Sequence, residues 1–178
     1  MVYALFTGYG HLLTTYPLQT RCVTSGVLFS ARDYTVQNIE GQQLDYNRLK
    51  NYFIFGLWFA APLLTIHYTK LLPRSGSIGK RLLIDQTIFA PFFWVYLNVI
   101  QGFIEKKPFS EIKEALSNEF VPFMKEYWKI WPILQLFNFA FLPLKYHILF
   151  INTVNVPYIG YYTWMMKDKN KQLEEMYL

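Results

Sequence analysis

The sequence contains little cysteine and little charge. Its single cysteine, Cys22, excludes an intramolecular disulfide and a cysteine cluster for a metal ion. Charged residues make up 16% of the 178 positions, whereas soluble domains contain about 25%. No basic residue precedes Arg21. The N-terminus therefore resembles neither a secretory signal nor an Arg-rich transit peptide, and we expect the full-length chain to be the mature form.

Sequence motifs of catalysis are also absent. The three histidines, His11, His67 and His147, lie far apart and lack metal-ligand spacing. The chain has no His-Glu-x-x-His motif, no phosphate-binding loop and no Gly-x-Ser-x-Gly motif. We therefore predict that the protein is not an enzyme and binds no cofactor or metal. Its net charge of +5 suits anionic headgroups, and no motif or charge block indicates nucleic acid.

Apolar and aromatic residues are abundant instead. Hydrophobic residues account for 53% of the chain and aromatic residues for 20%. The core of a soluble domain of this size could not bury so many rings, whereas a bilayer accommodates them, with Trp and Tyr at the headgroup level. A transmembrane helix needs about 20 mostly apolar residues. We therefore predict one all-α transmembrane helical domain over residues 1–178, with a soluble all-helical domain as the alternative.

Four segments are predicted to cross the membrane, so that both termini lie on the same side. The segments are 7–30, 51–72, 82–104 and 130–166. The last would be about 55 Å long as a straight helix, against a hydrocarbon core of about 30 Å. We expect it to be extended and broken at Pro143. Apolar residues at three- and four-residue steps predict an amphipathic surface helix over 109–123, and a helix packed on the bundle is the alternative.

Polar side chains in these segments fall on particular helical faces. On a helix that starts at Trp128, the residues Gln135, Asn138 and Lys145 share one stripe. A polar group inside a bilayer needs a partner or water, so such faces either line a wet cavity or hydrogen-bond between helices. The candidate pore-lining or interhelical polar residues are Arg21, Asp85, Gln86, Asn98, Gln101, Gln135, Asn138 and Lys145.

Asp85 is the one acidic residue well inside an apolar segment. In a channel, its carboxylate would favour cations at a narrow point. It would alternatively pair with Arg21 or Lys145 across the bundle, since an intramembrane charge usually has a partner. In a third interpretation, Asp85 lies in the first turn of its helix near the headgroups and complements the helix dipole.

Two motifs carry a resemblance to a known family. The motif W..WP..Q..NF...PL consists of Trp128, Trp131, Pro132, Gln135, Asn138, Phe139, Pro143 and Leu144. The motif DQ....P consists of Asp85, Gln86 and Pro91. With these motifs the chain resembles, over nearly its whole length, the Mpv-seventeen / 22-kDa peroxisomal membrane protein family of four-span organelle proteins. One departure is Arg32, which stands where the family pattern has glycine.

The resemblance implies a function as well as a fold. It implies a weakly selective small-solute channel of the mitochondrial inner membrane that supports mitochondrial homeostasis. The implied partners are the lipid bilayer, small solutes or metabolites, and further copies of the chain in a homo-oligomer. A peroxisomal membrane channel is one alternative, and a non-conducting scaffold or assembly factor is another. The motif residues with an implied structural role are Trp128, Trp131, Pro132, Phe139 and Pro143.

Overall fold

The computed structural model describes the backbone of residues 2–177 and the side chains of residues 8–168. Every regular element in this range is helical, which confirms the predicted all-α fold. The helices are α1 (Val2–Thr15), α2 (Pro17–Glu40), α3 (Tyr46–Ser75), α4 (Ile78–Ile104), α5 (Phe109–Phe141) and α6 (His147–Tyr177). Helix α3 ends in the 3-10 turn Leu72–Ser75, and the 3-10 turn Leu144–Tyr146 precedes α6.

Local sequence signals set several helix ends. Asp45 caps α3, because its Oδ1 accepts hydrogen bonds from the backbone N–H groups of Asn47 (2.8 Å) and Arg48 (3.2 Å). Ser77 caps α4 through its side chain in the same way. Gly41 ends α2 in the left-handed conformation with a φ of 73°, which glycine adopts without steric cost.

The predicted segment 7–30 consists of two helices rather than one. The break falls at Tyr16, whose φ of −130° and ψ of 62° are not helical. Pro17 causes this break, because a proline disfavours the helical conformation in the residue before it. Tyr9 of α1 then folds back against Thr24 of α2, where the two hydroxyl oxygens are 3.0 Å apart.

Three prolines accompany widened turns in α3 and α4. The π-helical turns Gly56–Ala60, His67–Leu71 and Asp85–Phe89 each end two residues before a proline. The prolines are Pro62, Pro73 and Pro91. A proline cannot donate to the carbonyl four residues earlier, and its ring presses against that carbonyl. A wider turn around that carbonyl relieves the contact. Two of these turns carry the polar side chains of the site described below.

Helix α5 contains the segment that was predicted as a separate surface helix. Residues Phe109–Phe141 form one continuous helix. Its first half packs on the bundle, since the rings of Phe123 and Trp94 have centroids 5.4 Å apart and Ile112 contacts Gly102. The packed-helix alternative therefore describes residues 109–123, and the separate surface helix is corrected.

The chain reverses direction at Pro143. After this proline, α6 returns antiparallel to α5, as the order of the ring contacts between them shows. The ring pairs are Phe123–Tyr162 (centroids 5.1 Å apart), Trp131–Tyr158 (5.5 Å) and Phe137–Phe150 (5.6 Å). The break at Pro143 is therefore confirmed. The two parts of the predicted segment 130–166, however, form a helical hairpin instead of one extended crossing, because the backbone at Leu142 and Pro143 is extended.

Helices α2 to α6 alternate in direction along the bundle. One consequence concerns the end of α6, where the Nζ of Lys167 donates to the backbone oxygen of Ile39 near the end of α2 (2.8 Å). The C-terminal half of α6 thus lies beside residues 41–45, at the end of the bundle opposite to the loop Pro73–Arg81. The four-crossing prediction had placed the C-terminus on the side of that loop, and the hairpin at Pro143 is the reason for the difference.

Two helices of the described range are long and apolar enough to cross a membrane. They are Tyr46–Ser75, with a mean hydropathy of 1.3 in its most apolar window, and Ile78–Ile104, with 1.5. Only 28% and 17% of these windows are buried, whereas a core helix of a soluble protein would be mostly buried. Large apolar side chains such as Trp58 and Ile133 are instead 69% and 71% exposed. The count of four crossings stays a prediction.

Candidate functional site

A cavity of about 250 Å³ lies among helices α2 to α6. Along α4 its lining runs from Gln101 to Asp85, a length of about 24 Å at 1.5 Å per residue. We call the end lined by Arg32, Arg48 and Gln101 the mouth, because Arg48 is partly exposed to solvent. We call the end lined by Tyr68, Asp85 and Gln135 the floor, because these side chains are buried.

At the floor, the carboxylate of Asp85 is surrounded by hydrogen-bond donors. Asp85 is only 1% exposed. Its four donors are Nε2 of His67 (2.9 Å) and the hydroxyl of Tyr68 (3.2 Å) on Oδ1, and Nε2 of Gln86 (2.8 Å) and Nε2 of Gln135 (2.8 Å) on Oδ2. Because a carboxylate only accepts, the proton of His67 on this contact must lie on Nε2. A carboxylate has about four acceptor positions. Four donors occupy those of Asp85, so little accepting capacity is left for an ion or a solute.

The floor network continues along α5 through Gln135. Its amide nitrogen also donates to the hydroxyl of Tyr68, and its Oε1 accepts from Nδ2 of Asn138 (2.9 Å). The imidazole of His67 stacks on Phe89, with ring centroids 3.3 Å apart. Since α3, α4 and α5 each contribute members, this network joins three helices in the interior of the bundle.

At the mouth, the guanidinium of Arg48 is paired with carboxylates. Its Nε lies 2.7 Å from Oδ1 of Asp33, and its Nη1 lies 3.6 Å from Oε2 of Glu40. Gln37 orients this pair by donating to Oδ2 of Asp33 (2.7 Å), and its own Oε1 accepts from the backbone N–H of Asp45 (2.7 Å). These contacts tie the end of α2 to the start of α3.

The second guanidinium at the mouth, that of Arg32, has a different environment. It lies over the rings of Phe29 and Tyr52, at 5.6 Å and 5.9 Å from their centroids. Within the described side chains, no carboxylate oxygen comes within ion-pair distance of it. Cation–π contacts of this kind are weak compared with a buried ion pair. Arg32 thus faces the cavity without an ion pair among the described side chains, and the carboxylate of Asp33 attracts it from a greater distance.

An ion pair outside the apolar part of α4 closes the rim of the mouth. Lys107 Nζ lies 2.9 Å from Oε2 of Glu105, and Gln101 Nε2 donates to Oε1 of Glu105 (2.9 Å). Burial by itself would raise the pKa of Glu105, but these two donors outweigh burial and lower its pKa below the ordinary value. The hydrogen bond from Lys107 to Glu105 raises the pKa of Lys107.

Several buried polar atoms on the cavity wall have no hydrogen-bond partner within the described residues. They are Oε1 of Gln101, Nε1 of Trp131, Oδ1 of Asn155 and the hydroxyl of Tyr158. An unpaired buried polar atom is costly, and water or a solute in a cavity removes that cost. Apolar rings such as Phe93, Trp94 and Phe123 separate these polar atoms. The wall therefore suits small molecules that combine polar and apolar groups.

Most of the predicted polar residues lie in or beside this cavity. Asp85, Asn98, Gln101 and Gln135 line it, and Gln86 and Asn138 belong to the floor network. Arg21 and Lys145 do not line it. Arg21 is half-buried on α2, and Lys145 lies over the ring of Tyr146, 5.1 Å from its centroid.

Two of the three interpretations of Asp85 are corrected by its surroundings. Neither Arg21 nor Lys145 pairs with it, because His67, Tyr68, Gln86 and Gln135 occupy both of its oxygens. It is also not in a first turn, since α4 begins at Ile78 and Asp85 follows a complete α-helical stretch, Ile78–Ile84. Its use as a cation-selective group in a channel stays a prediction.

The motif residues of α5 occupy structural positions around the floor. Trp128 Nε1 donates to the backbone oxygen of Gln86 (3.2 Å), which joins the two sequence motifs directly. Trp131 lines the cavity, and Phe139 packs beside it in the core. Pro132 lies inside α5 without breaking it, whereas Pro143 forms the turn between α5 and α6.

Sequence reasoning missed His67 and Tyr68 as members of the network. A signal for them exists, because the pair His67–Tyr68 precedes Pro73 by the same spacing as Asp85–Gln86 precedes Pro91. Each pair forms the first two residues of a π turn, and each π turn ends two residues before the proline. The two turns face each other across α3 and α4, so the repeated spacing predicts a contact between the pairs. Arg32 and Tyr158 were missed as well, and their facing the cavity has no comparable sequence signal.

Comparison with known proteins agrees with the sequence motifs. A model of the Mpv17 / PMP22 family matches residues 102–162. Peroxisomal membrane protein 2 of Bos taurus is 29% identical over 86% of this chain and 85% of its own length. PXMP2/4 family protein 3 of Dictyostelium discoideum is 30% identical over 94% of each chain. Mitochondrial inner membrane protein Mpv17 of Caenorhabditis briggsae is 31% identical over 78% of this chain and 80% of its own length.

No solved structure matches the chain. The residues matched by the family model include the hairpin of α5 and α6 together with the motif from Trp128 to Leu144. Relatives with at least 30% identity extend this match over most of the chain. On these grounds the chain belongs to the Mpv17 / PMP22 family.

Proposed function

We propose that this protein is a multi-pass organelle membrane protein that forms a weakly selective channel for small polar solutes. The cavity carries the proposal, because its wall presents buried polar atoms that have no partner among the described residues and that water or a solute would satisfy. The exposed apolar side chains on the outside of the bundle support a position in lipid. A protein with an apolar outside and a polar interior has the distribution that a solute path across a bilayer needs.

The mitochondrial inner membrane is the proposed location. Named relatives include a mitochondrial inner membrane protein and a peroxisomal membrane protein, which supports an organelle membrane and leaves two organelles to compare. A fluorescent tag on the chain, imaged beside mitochondrial and peroxisomal markers, tests the location. Overlap with the mitochondrial marker is expected, overlap with the peroxisomal marker favours the alternative, and a signal confined to the secretory pathway would reject both.

Conductance of the purified protein in planar bilayers tests the channel. A matched pair of substitutions on α4 makes the test specific to the cavity. Leu97→Trp places an indole in the cavity, which Leu97 lines, whereas Val95→Trp places it on the outer surface, where Val95 is 36% exposed. We expect Leu97→Trp to reduce the unitary conductance and Val95→Trp to preserve it. Equal conductance of the two variants would place the solute path outside this cavity.

A non-conducting scaffold is the second candidate function. The observation that favours it is the floor network, in which Gln135 of α5 donates to Asp85 of α4 and accepts from Asn138, so that the network acts between helices. Absence of conductance from protein whose folded insertion into the bilayer has been verified would favour the scaffold. Resistance of the protein to protease in lipid vesicles verifies that it is folded.

The sequence prediction and the alternating helix directions imply different numbers of membrane crossings, and the position of the C-terminus distinguishes the two. Four crossings place the C-terminus on the side of the loop Pro73–Arg81. Five alternating passes, α2 to α6, place it beside residues 41–45, which the contact between Lys167 and Ile39 supports. Single cysteines at Gln42 and Ser77 and a C-terminal tag, in a Cys22→Ser background, can be labelled from one side of sealed vesicles. We expect the tag to share the accessibility of Gln42→Cys, and sharing that of Ser77→Cys would restore the four-crossing arrangement.

A further inference from the structure

The mouth of the cavity contains one guanidinium that the protein does not neutralise by ion pairing. Arg48 has two carboxylate partners there, Asp33 and Glu40. Arg32 lies over two aromatic rings and forms no ion pair within the described side chains, and the carboxylate of Asp33 attracts it only from beyond ion-pair distance. A guanidinium carries five N–H donors in a planar arrangement that fits a carboxylate through two hydrogen bonds. Arg32 therefore offers the cavity both a positive charge and unused donors.

The carboxylates that line the cavity are less available to a ligand than the guanidinium of Arg32 is. Asp85 already accepts hydrogen bonds from four donors, so it attracts a cation less strongly than a free carboxylate would. Glu119 also lines the cavity, but it is exposed to solvent, where water and salt screen its charge. Apart from the solvent-exposed Glu119, Arg32 is therefore the charged group of the cavity lining that has no ion-pair or hydrogen-bond partner among the described residues.

The wall adds further unused donors and an apolar surface. The indole N–H of Trp131 and the hydroxyl of Tyr158 have no partner in the described residues, and their rings lie 5.5 Å apart. Phe93, Trp94 and Phe123 supply apolar area between them. The cavity volume of about 250 Å³ is the volume that roughly eight molecules occupy in liquid water. It is smaller than the pockets of about 300–1,000 Å³ that hold drug-sized ligands. Only a small molecule fits.

We propose that the cavity is a binding site for a small organic monoanion, with its anionic group at Arg32 and its apolar part against the aromatic wall. A short-chain monocarboxylate has this chemistry. One charge is specified, because one guanidinium lacks an ion pair among the described side chains. The proposal deepens the proposed function by naming the solute class and rests on it for transport, but binding itself does not require conduction.

Tryptophan fluorescence of the purified full-length protein in detergent tests the binding, because Trp94 and Trp131 line the cavity. The probes are butyrate, butyramide and butylammonium, which share one apolar chain and differ in charge, and acetate, which lacks most of the chain. We expect butyrate to bind at least about tenfold more tightly than butyramide and butylammonium, since hydrogen bonds to charged groups exceed neutral ones by about this factor. Acetate should bind more weakly than butyrate.

Substitution of Arg32 assigns the site. Arg32→Gln should abolish the preference for butyrate over butyramide, and Arg32→Lys should retain part of it as a point charge without the planar fork. Arg74→Gln, at an exposed residue of the 3-10 turn that ends α3, is the matched control and should bind butyrate as the unchanged protein does. Thermal unfolding of all three variants shows whether each is folded, so that a loss of binding is not a loss of structure.

Three results would overturn the site. They are equal binding of butyrate and butyramide by the unchanged protein, unchanged butyrate binding by folded Arg32→Gln, and preferential binding of butylammonium. Reversal potentials under a butyrate gradient in planar bilayers separate this inference from the channel. Binding without conductance would reject only the channel, whereas conductance without butyrate binding or preference would reject only the anion site.

Discussion

The two ends of the cavity each contain a charge in apolar surroundings, and the protein treats them in opposite ways. At the floor, Asp85 receives four hydrogen bonds from three helices. At the mouth, Arg32 lies over two rings and has no carboxylate partner among the described residues. The hydroxyl of Tyr158 on the cavity wall lacks a partner among the described residues, as do Oε1 of Gln86 and Oδ1 of Asn138 beside the carboxylate of Asp85.

This difference indicates that the charge of Asp85 is structural, whereas the charge of Arg32 is available to a ligand. A buried charge is stable only when donors or acceptors replace the water that it has lost. The protein itself supplies that replacement for Asp85, so the charge holds α3, α4 and α5 together. For Arg32 the replacement has to come from the contents of the cavity. Loss of a group of the floor network should therefore cost stability, whereas loss of Arg32 should cost binding.

The largest expected effect is that of Asp85→Asn. The asparagine amide keeps the size of the side chain but places N–H groups against donors that faced an oxygen, and it removes the charge. Breaking such a buried network costs about 3 kcal/mol or more, which lowers the melting temperature by roughly 6–12 °C for a chain of this size. Thermal unfolding in detergent measures this. Glu114→Gln on the exposed face of α5 is the control, and equal melting of both variants would refute a structural role for Asp85.

The next effect compares two tyrosines that undergo the same change. Tyr68→Phe removes a hydroxyl that donates to Asp85 and accepts from Gln135, and we expect a loss of about 2 kcal/mol in unfolding free energy. Tyr158→Phe removes a hydroxyl without a partner in the described residues and should change stability by less than about 0.5 kcal/mol. Unfolding by denaturant compares the two variants directly. Similar losses for both would mean that the wall and the floor are equally structural.

A smaller effect is expected at the rim, where Glu105 has a lowered pKa. A carboxyl whose pKa is lower in the folded state stabilises the fold above its unfolded pKa, near 4.3, and that contribution disappears as the pH falls through the folded pKa. The pair with Lys107 is partly exposed, with side-chain exposures of 24% and 53%, so its contribution is less than about 1 kcal/mol. The difference in melting temperature between the unchanged protein and Glu105→Gln should therefore shrink from pH 7 to pH 4. A difference that grows toward low pH would contradict this.

The smallest effect on stability is expected for Arg32→Gln. Because the guanidinium forms no ion pair within the described side chains, its removal should alter the unfolding free energy by about 0.5 kcal/mol or less. Arg48→Gln, which leaves the carboxylate of Asp33 without its cation, is the matched comparison and should cost more. A loss for Arg32→Gln as large as that for Arg48→Gln would show that the mouth is held together by both arginines.

Several features of the site followed from periodicity. The spacing of Gln135 and Asn138 placed them on one face of a helix, and both are buried in the floor network. The break at Pro143 followed from the chemistry of proline. The reversal of direction after Pro143 did not follow, since a proline limits the local backbone but does not determine how two helices pack. For the same reason the sequence did not show that residues 109–123 pack along the bundle.

The amino-acid sequence by itself determined the all-helical class, the apolar outside and most of the polar residues that lie in or beside the cavity. These depend on composition and on the 3.6-residue period, which are local properties of the chain. Only the tertiary structure decided that Asp85 meets His67 and Tyr68, and that no carboxylate of the described side chains comes within ion-pair distance of Arg32. Whether a charge is compensated depends on which helices are neighbours and on the depth at which their side chains lie. That is a relation between distant segments, and no single stretch of sequence contains it.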